Sequence, residues 1–256
     1  MTAIFPIPAL RDNYIWALHD DHHAAVVDPG DAAPVRDWLN ANGLTLAAIL
    51  CTHHHHDHVD GIRELAQVYN VPVYGPRQEY IADVTRAVGE GDFIELPFAG
   101  VRLSVLDIPG HTRGHIAYLG EDFVFCGDTL FACGCGRVFD GSLEQLHHSL
   151  RRLAALPDAT RVFCTHEYTE NNIRFALLCE PGNVALQARQ ISAQALRAEG
   201  RPTLPSTIAL EKATNPFFRC DQPEIMRNVE KHLGHALSSR DEMRVFAALR
   251  AWRNTF

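Results

Sequence analysis

Histidine is concentrated in one short segment of this 256-residue chain. Five of its 15 histidines lie within residues 53–58, in the run THHHHDH. Imidazole and carboxylate side chains are ligands that suit Zn, Fe or Mn. His53 and His55 are two residues apart, so in extended backbone both rings point the same way and can bind one ion. Asp57 and His58 follow directly and can turn toward a second ion.

Further potential ligands follow other strands that the sequence predicts, just as the histidine run follows a predicted strand at 47–52. Asp128 follows a predicted strand at 123–126, and His166 follows one at 161–165. His111 and His115 both come after a predicted strand at 101–108. Strand ends are where α/β sheets place their sites. Seven ligands are too many for one tetrahedral ion and suit two ions that share one carboxylate. Spacing alone leaves His111 and His115 as alternatives.

A histidine-rich run also has simpler explanations. It can be a loose surface metal binder or a polar loop segment. Asp128, His111 and His166 also follow predicted strands, as the histidine run does, and this shared position argues against both explanations. We expect His54 and His56, which alternate with the candidate ligands, to point away from the site. No role is assigned to the histidines of predicted turns and helices, namely His22, His23, His147, His148, His232 and His235.

The elements that must position these residues alternate between strand and helix along the first 171 residues. Further strands are predicted at 13–17, 24–28, 71–74 and 115–119, and helices at 33–42, 60–69, 77–84 and 143–155. The pattern predicts an α/β layered domain over residues 1–171. Residues 172–256 predict a helical domain, with helices at 183–198 and 223–233, a connector at 201–218, a possible cap at Asp221, and a last helix opened by a capping box at 239–242.

The net charge of −8 is divided unevenly between these two parts. Residues 1–171 carry 11 basic and 23 acidic residues (net −12), whereas residues 172–256 carry 12 and 8 (net +4). A basic unit beside an acidic metal domain can attract an anionic ligand, and the negative total argues against a general nucleic-acid binder. No apolar run approaches the roughly 20 residues of a membrane span. The N-terminal segment lacks a signal-peptide pattern, so the seven cysteines predict reduced thiols in the cytoplasm.

The run THHHHDH fits the T-H-x-H-x-D-H signature of the metallo-β-lactamase superfamily, which the chain therefore resembles. The closer resemblance, nearly end to end, is to the glyoxalase II (hydroxyacylglutathione hydrolase) family. It is carried by residues 7–16 (IPALRDNYIW), 109–112 (PGHT), 127–131 (GDTLF), 134–137 (GCGR), 166–169 (HEYT), 215–217 (NPF) and the tail at Arg250, Arg253 and Phe256. The resemblance implies an αββα sandwich of the α/β class with a C-terminal all-helical domain.

The resemblance also implies a role for each candidate residue. It places one metal on His53, His55 and His111. It places the second metal on Asp57, His58 and His166, with Asp128 bridging the two. Substrate-binding residues are then Arg137, Tyr168, Arg250 and Arg253, which hold the glutathione part. We expect two divalent ions per chain, with Zn first and Fe or Mn as alternatives. Some relatives have Lys at two of these arginine positions and Tyr where this chain has Phe139, which bears on affinity more than on reaction type.

The reaction implied is thioester hydrolysis of S-(2-hydroxyacyl)glutathione, giving D-lactate and glutathione from S-D-lactoylglutathione in the second step of methylglyoxal detoxification. Asp57 and Asp128 are the expected catalytic residues. They serve a hydroxide whose formation the metals favour near neutral pH. A thiolate with a pKa of about 8.5 leaves without acid assistance. The alternatives are a glutathione persulfide dioxygenase with one iron, or a non-catalytic metal-binding protein. We expect a cytoplasmic monomer that binds neither nucleic acid nor membrane.

Overall fold

The computed structural model describes residues 2–96, 98 and 100–256. Its first sheet has six strands that follow one another in chain order. They are β1 (Ala3–Ala9), β2 (Asn13–His19), β3 (His23–Val27), β4 (Thr45–Leu50), β5 (Val73–Pro76) and β6 (Arg86–Val88). The first two pairings are antiparallel and the next three are parallel. The histidine run therefore leaves a central strand of a mixed sheet.

The second sheet also has six strands, in the order β14-β13-β10-β9-β8-β7. Their bounds are β7 (Phe93–Glu95), β8 (Arg102–Asp107), β9 (Ile116–Leu119), β10 (Phe123–Gly127), β13 (Arg161–Cys164) and β14 (Ser206–Thr207). Only the β10–β13 pairing is parallel. A short hairpin of β11 (Leu130–Phe131) and β12 (Gly134–Cys135) extends beyond β10.

The two sheets face each other and helices cover their outer faces. Strand β2 shows this arrangement, because Ile15 and Ala17 belong to a core with Val35 and Leu39 of the first helix, whereas Trp16 joins the core of the second sheet. The described helices are α1 (Ala32–Asn42), α2 (His56–Val59), α3 (Ile62–Tyr69), α4 (Leu143–Ala154), α5 (Thr169–Cys179), α6 (Val184–Ala198), α7 (Ile208–Thr214), α8 (Pro223–Leu233) and α9 (Glu242–Thr255). The predicted αββα sandwich with a helical C-terminal part is confirmed.

The C-terminal helices pack onto the sandwich rather than standing apart from it. Helix α5 begins at Thr169, and β14 adds an edge strand to the second sheet through Ser206 and Thr207. Phe175, Phe217 and Phe246 from α5, the α7–α8 loop and α9 join the core that includes the second sheet. In the part of the chain that the structure describes, no helix is long and apolar enough to cross a membrane.

Several local predictions are wrong for identifiable reasons. Residues 77–84 form turns instead of a helix, because this segment places Glu79 in a buried polar contact. The predicted connector at 201–218 contains β14 and α7. The last helix is capped by Asp241, whose carboxylate accepts from Arg244 N at 3.0 Å, and not by the predicted capping box. Gln222 rather than Asp221 precedes α8.

Candidate metal centre

Three histidines from two strand ends meet at one point. His53 and His55 follow β4, and His111 follows β8. Nδ1 of His55 lies 3.1 Å from Nε2 of His53 and 3.0 Å from Nε2 of His111. One ligand atom from each ring lies within 4.8 Å of the other two, which is close enough for a common ion. We call this group the three-histidine cluster.

A second group lies beside it and contains Asp57, His58 and His166. Oδ2 of Asp57 lies 3.5 Å from Nε2 of His58 and 3.4 Å from Nε2 of His166. The ligand atoms again fall within 4.8 Å of one another. His58 and His166 are buried, whereas Asp57 is only partly buried and lines an open cavity. We call this group the Asp57 cluster.

Asp128, at the end of β10, lies between the two clusters. Its Oδ2 is 3.6 Å from Nε2 of His111 and 3.4 Å from Nε2 of His166, while its Oδ1 is 3.5 Å from Nε2 of His58. One carboxylate thus faces a histidine of the first cluster and two of the second. Asp128 is thus within reach of both clusters.

Outer hydrogen bonds fix the direction of two of these rings. Nδ1 of His111 donates to the backbone carbonyl of Arg137 at 2.7 Å, and Nδ1 of His166 lies 2.8 Å from Oδ1 of Asp12. Each bond leaves Nε2 directed toward the centre, as is usual for metal-binding histidines. The backbone next to Arg137 packs closely against the backbone of Asp128, because a Cβ on Gly136 would lie 2.0 Å from the Asp128 carbonyl oxygen. Only glycine permits this approach.

Asp28 orients two more of these rings, His53 through Thr52 and His58 through a direct contact. Thr52 donates its backbone N–H and its hydroxyl to Asp28, each at 2.7 Å. Because the hydroxyl proton is used there, the Thr52 oxygen accepts from Nδ1 of His53 at 3.0 Å. Nδ1 of His58 lies 3.1 Å from Oδ2 of Asp28. His53 and His58 therefore also present Nε2 to the centre, and His55 alone presents Nδ1.

Two buried polar atoms at the centre lack hydrogen-bond partners in the part of the chain that the structure describes and are suited to binding divalent cations. Nε2 of His58 and Oδ1 of Asp128 are both buried, and neither has a hydrogen-bond partner among the described residues. A buried polar atom without a partner is costly, and a bound cation would remove that cost at both atoms. The donor set of imidazoles and carboxylates matches Zn, Fe or Mn.

The protonation of the centre differs between the two clusters. Burial holds the pKa of His53 well below 6.5, and burial together with the neighbouring His111 lowers the pKa of His55 to about 4. These rings are neutral and ready to bind a cation. Burial also opposes charge on His58, but Asp128 and Asp28 outweigh it and raise its pKa to about 10. Without a metal, this raised pKa favours the protonated form of His58 at neutral pH.

The structure separates the remaining histidines near the centre from the ligand candidates. Nε2 of His115 accepts from Asp128 N at 3.1 Å and its Nδ1 donates to the Ile116 carbonyl at 3.1 Å, so both nitrogens are used and His111 is the residue that faces the clusters. His54 points away toward Glu79, and His56 points away toward solvent, as expected.

A cavity of about 330 Å³ connects this centre with cationic side chains. Asp57, His55, His111, Asp128 and His166 are among the residues that line it. The other residues that line it are Phe131, Cys135, Arg137, Phe139, Tyr168, Asn172, Arg250 and Arg253. The structure thus brings all four predicted substrate-binding residues to the same cavity as the predicted ligands.

The three arginines of this cavity, Arg137, Arg250 and Arg253, have no carboxylate in ion-pair contact among the described residues. Buried Arg250 donates to the Cys135 carbonyl at 2.9 Å, and Arg253 donates to the Asn172 side chain at 3.3 Å. Burial, followed by repulsion from Arg250, lowers the pKa of Arg253. Unneutralised guanidinium groups that converge on a cavity are suited to binding an anion.

Two further groups line or support the site. The Tyr168 ring stacks on His166 with centroids 4.7 Å apart and planes at 3°. Asn13 donates to Oδ2 of Asp57 at 3.1 Å and so fixes that carboxylate. Sequence reasoning did not assign roles to Asn13, Asp12 or Asp28. Asp28 could have been found by the pattern used for the ligands, because it directly follows strand β3.

Comparisons with known proteins assign this fold and site to a class. Residues 10–166 match the family model described as the metallo-beta-lactamase superfamily, and residues 167–256 match that described as the hydroxyacylglutathione hydrolase C-terminus. Among solved structures, ETHE1 from Myxococcus xanthus has a TM-score of 0.66 at 26% identity and covers 100% of this chain and 99% of that one. TTHA1623 in a di-iron-bound form has a TM-score of 0.60 at 26% identity, over 83% of this chain and 99% of that one.

Relatives with much higher identity narrow the class. Proteins named hydroxyacylglutathione hydrolase from Nitrosomonas eutropha and Nitrosomonas europaea are 51% and 50% identical to this chain over 256 residues. The alignments cover 100% of this chain and 100% and 97% of those proteins. The chain therefore belongs to the hydroxyacylglutathione hydrolase family of the metallo-beta-lactamase superfamily. The resemblance identified in the sequence is confirmed.

Proposed function

We propose that the protein hydrolyses the thioester of S-(2-hydroxyacyl)glutathione, with S-D-lactoylglutathione as the substrate and D-lactate and glutathione as the products. The observation that carries this proposal is that one cavity is lined both by the histidine and aspartate clusters and by three arginines that have no carboxylate partner among the described residues. The candidate metal ligands and the arginines suited to binding an anion thus line the same cavity. The names of the full-length relatives support the same reaction.

The centre is proposed to hold two divalent ions per chain. His53, His55 and His111 would hold one ion, Asp57, His58 and His166 would hold the other, and Asp128 would be shared between them. Zn suits this donor set best, and Fe or Mn are alternatives. The clustering of ligand atoms within 4.8 Å and the di-iron form of TTHA1623 support two ions.

When bound, the metal ions supply Lewis acidity for the thioester carbonyl and a hydroxide nucleophile at neutral pH. Asp57, partly buried and held by Asn13, is placed to orient the nucleophile in the cavity. Asp128 balances charge between the two positions. The glutathione thiolate is a good leaving group with a pKa of about 8.5, so no acid side chain is needed beside the sulfur.

The glutathione part of the substrate is proposed to bind between Arg137, Arg250, Arg253 and Tyr168. Glutathione carries two carboxylates, and guanidinium groups bind carboxylates with paired, charge-assisted hydrogen bonds. Arg250 is preorganised because it is buried and donates to the Cys135 carbonyl. Residues 1–171 form the catalytic part in this proposal, and residues 172–256 contribute the two C-terminal arginines.

We further propose a monomer located in the cytoplasm. All seven cysteines lie at described positions and are buried without forming disulfide bonds. Such thiols are typical of proteins that work in a reducing compartment. All of the ligands and proposed substrate contacts come from one chain, so the site is complete without a second copy.

The test is hydrolysis of S-D-lactoylglutathione, followed by loss of thioester absorbance, with the metal content measured on the same sample. Rapid loss with about two ions per chain is expected. No loss despite two bound ions would refute the substrate, and glutathione persulfide with oxygen would then be tried as the substrate of a dioxygenase. No turnover of either compound would favour a metal-binding protein without catalysis.

A further inference from the structure

Glu79 lies outside the cavity and contacts both loops that form the three-histidine cluster. It belongs to the turn segment between β5 and β6, and only 4% of its side chain is exposed. Its Oε2 lies 2.7 Å from Nδ1 of His54. Its Oε1 accepts from the hydroxyl of Thr112 and from the backbone N–H of Gly114 at 3.0 Å.

These contacts connect two segments that are far apart in sequence. His54 stands between His53 and His55, and Thr112 directly follows His111. One carboxylate therefore holds the loop after β4 and the loop after β8 in a fixed relation. A buried carboxylate is unfavourable unless its oxygens are hydrogen-bonded, so each contact contributes to keeping the loops together.

We propose that Glu79 is a positioning residue for the three-histidine cluster. By connecting the loop after β4 with the loop after β8, Glu79 sets the affinity of this cluster for a metal ion. The proposal rests on metal binding at the cluster, and it concerns one of the two positions only. The Asp57 cluster is fixed by Asp12, Asn13 and Asp28 instead, and Glu79 contacts none of these. Loss of Glu79 is therefore expected to weaken metal binding at the three-histidine cluster and to leave metal binding at the Asp57 cluster unchanged.

The chain provides a matched control within the same motif. His56 and Asp60 form a second contact between an imidazole and a carboxylate at 3.1 Å, with side chains 93% and 62% exposed. This pair involves the other alternating histidine of the run, but it connects no second ligand loop. The Asp60→Ala variant thus removes similar chemistry without the proposed function.

The experiment is a titration of metal-free protein with Zn²⁺ against a chelating indicator, with thioester hydrolysis measured on the same samples. Glu79→Ala should weaken one of two binding steps by about 10- to 100-fold and leave the other unchanged. At saturating Zn²⁺, KM should remain at the wild-type value because Glu79 does not line the cavity. Glu79→Gln keeps acceptors for Thr112 and Gly114 and should lose less, and Asp60→Ala should bind like the wild type.

Wild-type affinity at both steps in Glu79→Ala would overturn the proposal, and so would an equal loss at both steps. A loss of metal affinity in Asp60→Ala equal to that in Glu79→Ala would also overturn the proposal. If Glu79→Ala does not fold, Glu79→Gln decides, and its affinity must then fall at one step only. A wild-type protein that binds two ions but cleaves no thioester would refute the proposed function while leaving the titration able to test Glu79.

Discussion

Replacing Arg253 by Met tests whether the arginine cluster binds the substrate. Methionine keeps an unbranched stem but removes the guanidinium group, whose carbon lies 5.7 and 5.4 Å from the ring centroids of Phe175 and Phe256. The fold should tolerate this change. The one side-chain hydrogen bond that the structure gives Arg253 is the 3.3 Å contact with Asn172, and burial and Arg250 already disfavour its charge.

The expected effect is on substrate binding. A hydrogen bond to a charged group contributes about 1.5–3 kcal/mol, and a factor of ten in affinity corresponds to about 1.4 kcal/mol. KM for S-D-lactoylglutathione should therefore rise about 10- to 150-fold in Arg253→Met, with little change in kcat. Unfolding in urea should show a change within about 0.5 kcal/mol of the wild type.

The matched control is Arg174→Met, which removes an exposed cation from α5 that contacts Asn171 and does not line the cavity. Its KM should stay within about twofold of the wild type, the range of an exposed substitution. Arg253→Lys keeps the charge and should lie between the wild type and Arg253→Met. An unchanged KM in Arg253→Met, or a loss in kcat alone, would refute a direct contact with the substrate.

Three further predictions concern the centre. Asp128→Ala should lower bound metal from two ions to one or none and kcat by more than about 100-fold, and two retained ions would contradict the bridge. In chelated protein, His58 holds its proton up to a pKa of about 10, so the stability it provides below pH 6.5 is lost as the pH rises toward 10. The pKa of His166 is also raised, by Asp128 and Asp12, so urea unfolding at pH 7 to 9 should show a decline from both rings, and His58→Gln should make this decline shallower without removing it. At Gly110 the backbone φ is 139°, and an added Cβ would lie 2.3 Å from Leu146 Cα. Gly110→Ala should therefore lower the free energy of unfolding by about 1–3 kcal/mol in the same assay, and wild-type stability would contradict the clash.

The positions of the predicted ligands were accessible from the sequence because they follow one simple pattern. Apolar runs followed by His or Asp predict strands whose ends meet, and the segments after β4, β8, β10 and β13 do bring these side chains together. The choice between His111 and His115 was not accessible from spacing. It depends on the hydrogen bond from Asp128 N to His115, which exists only in the folded chain.

The supporting contacts were the part that sequence reasoning did not find. Residues 77–84 have a composition that favours a helix, yet tertiary contacts to Glu79 hold them as turns. Asp12 and Asp28 act through rings that lie 154 and 30 positions away in sequence. Strand β14 has only two residues and gains its pairing from β13, so no local pattern predicts it.

The segment from Cys135 to Arg137 belongs to both halves of the site. Its carbonyls accept from Arg250 and from His111, while the Arg137 side chain lines the cavity. Events at the metal centre and at the arginines thus share one short piece of backbone. Linkage between two ligands is reciprocal, so any free energy by which a metal improves glutathione binding is matched by an equal gain in metal affinity when glutathione is bound. In a cell rich in glutathione, the released product would then help to keep the enzyme loaded with metal.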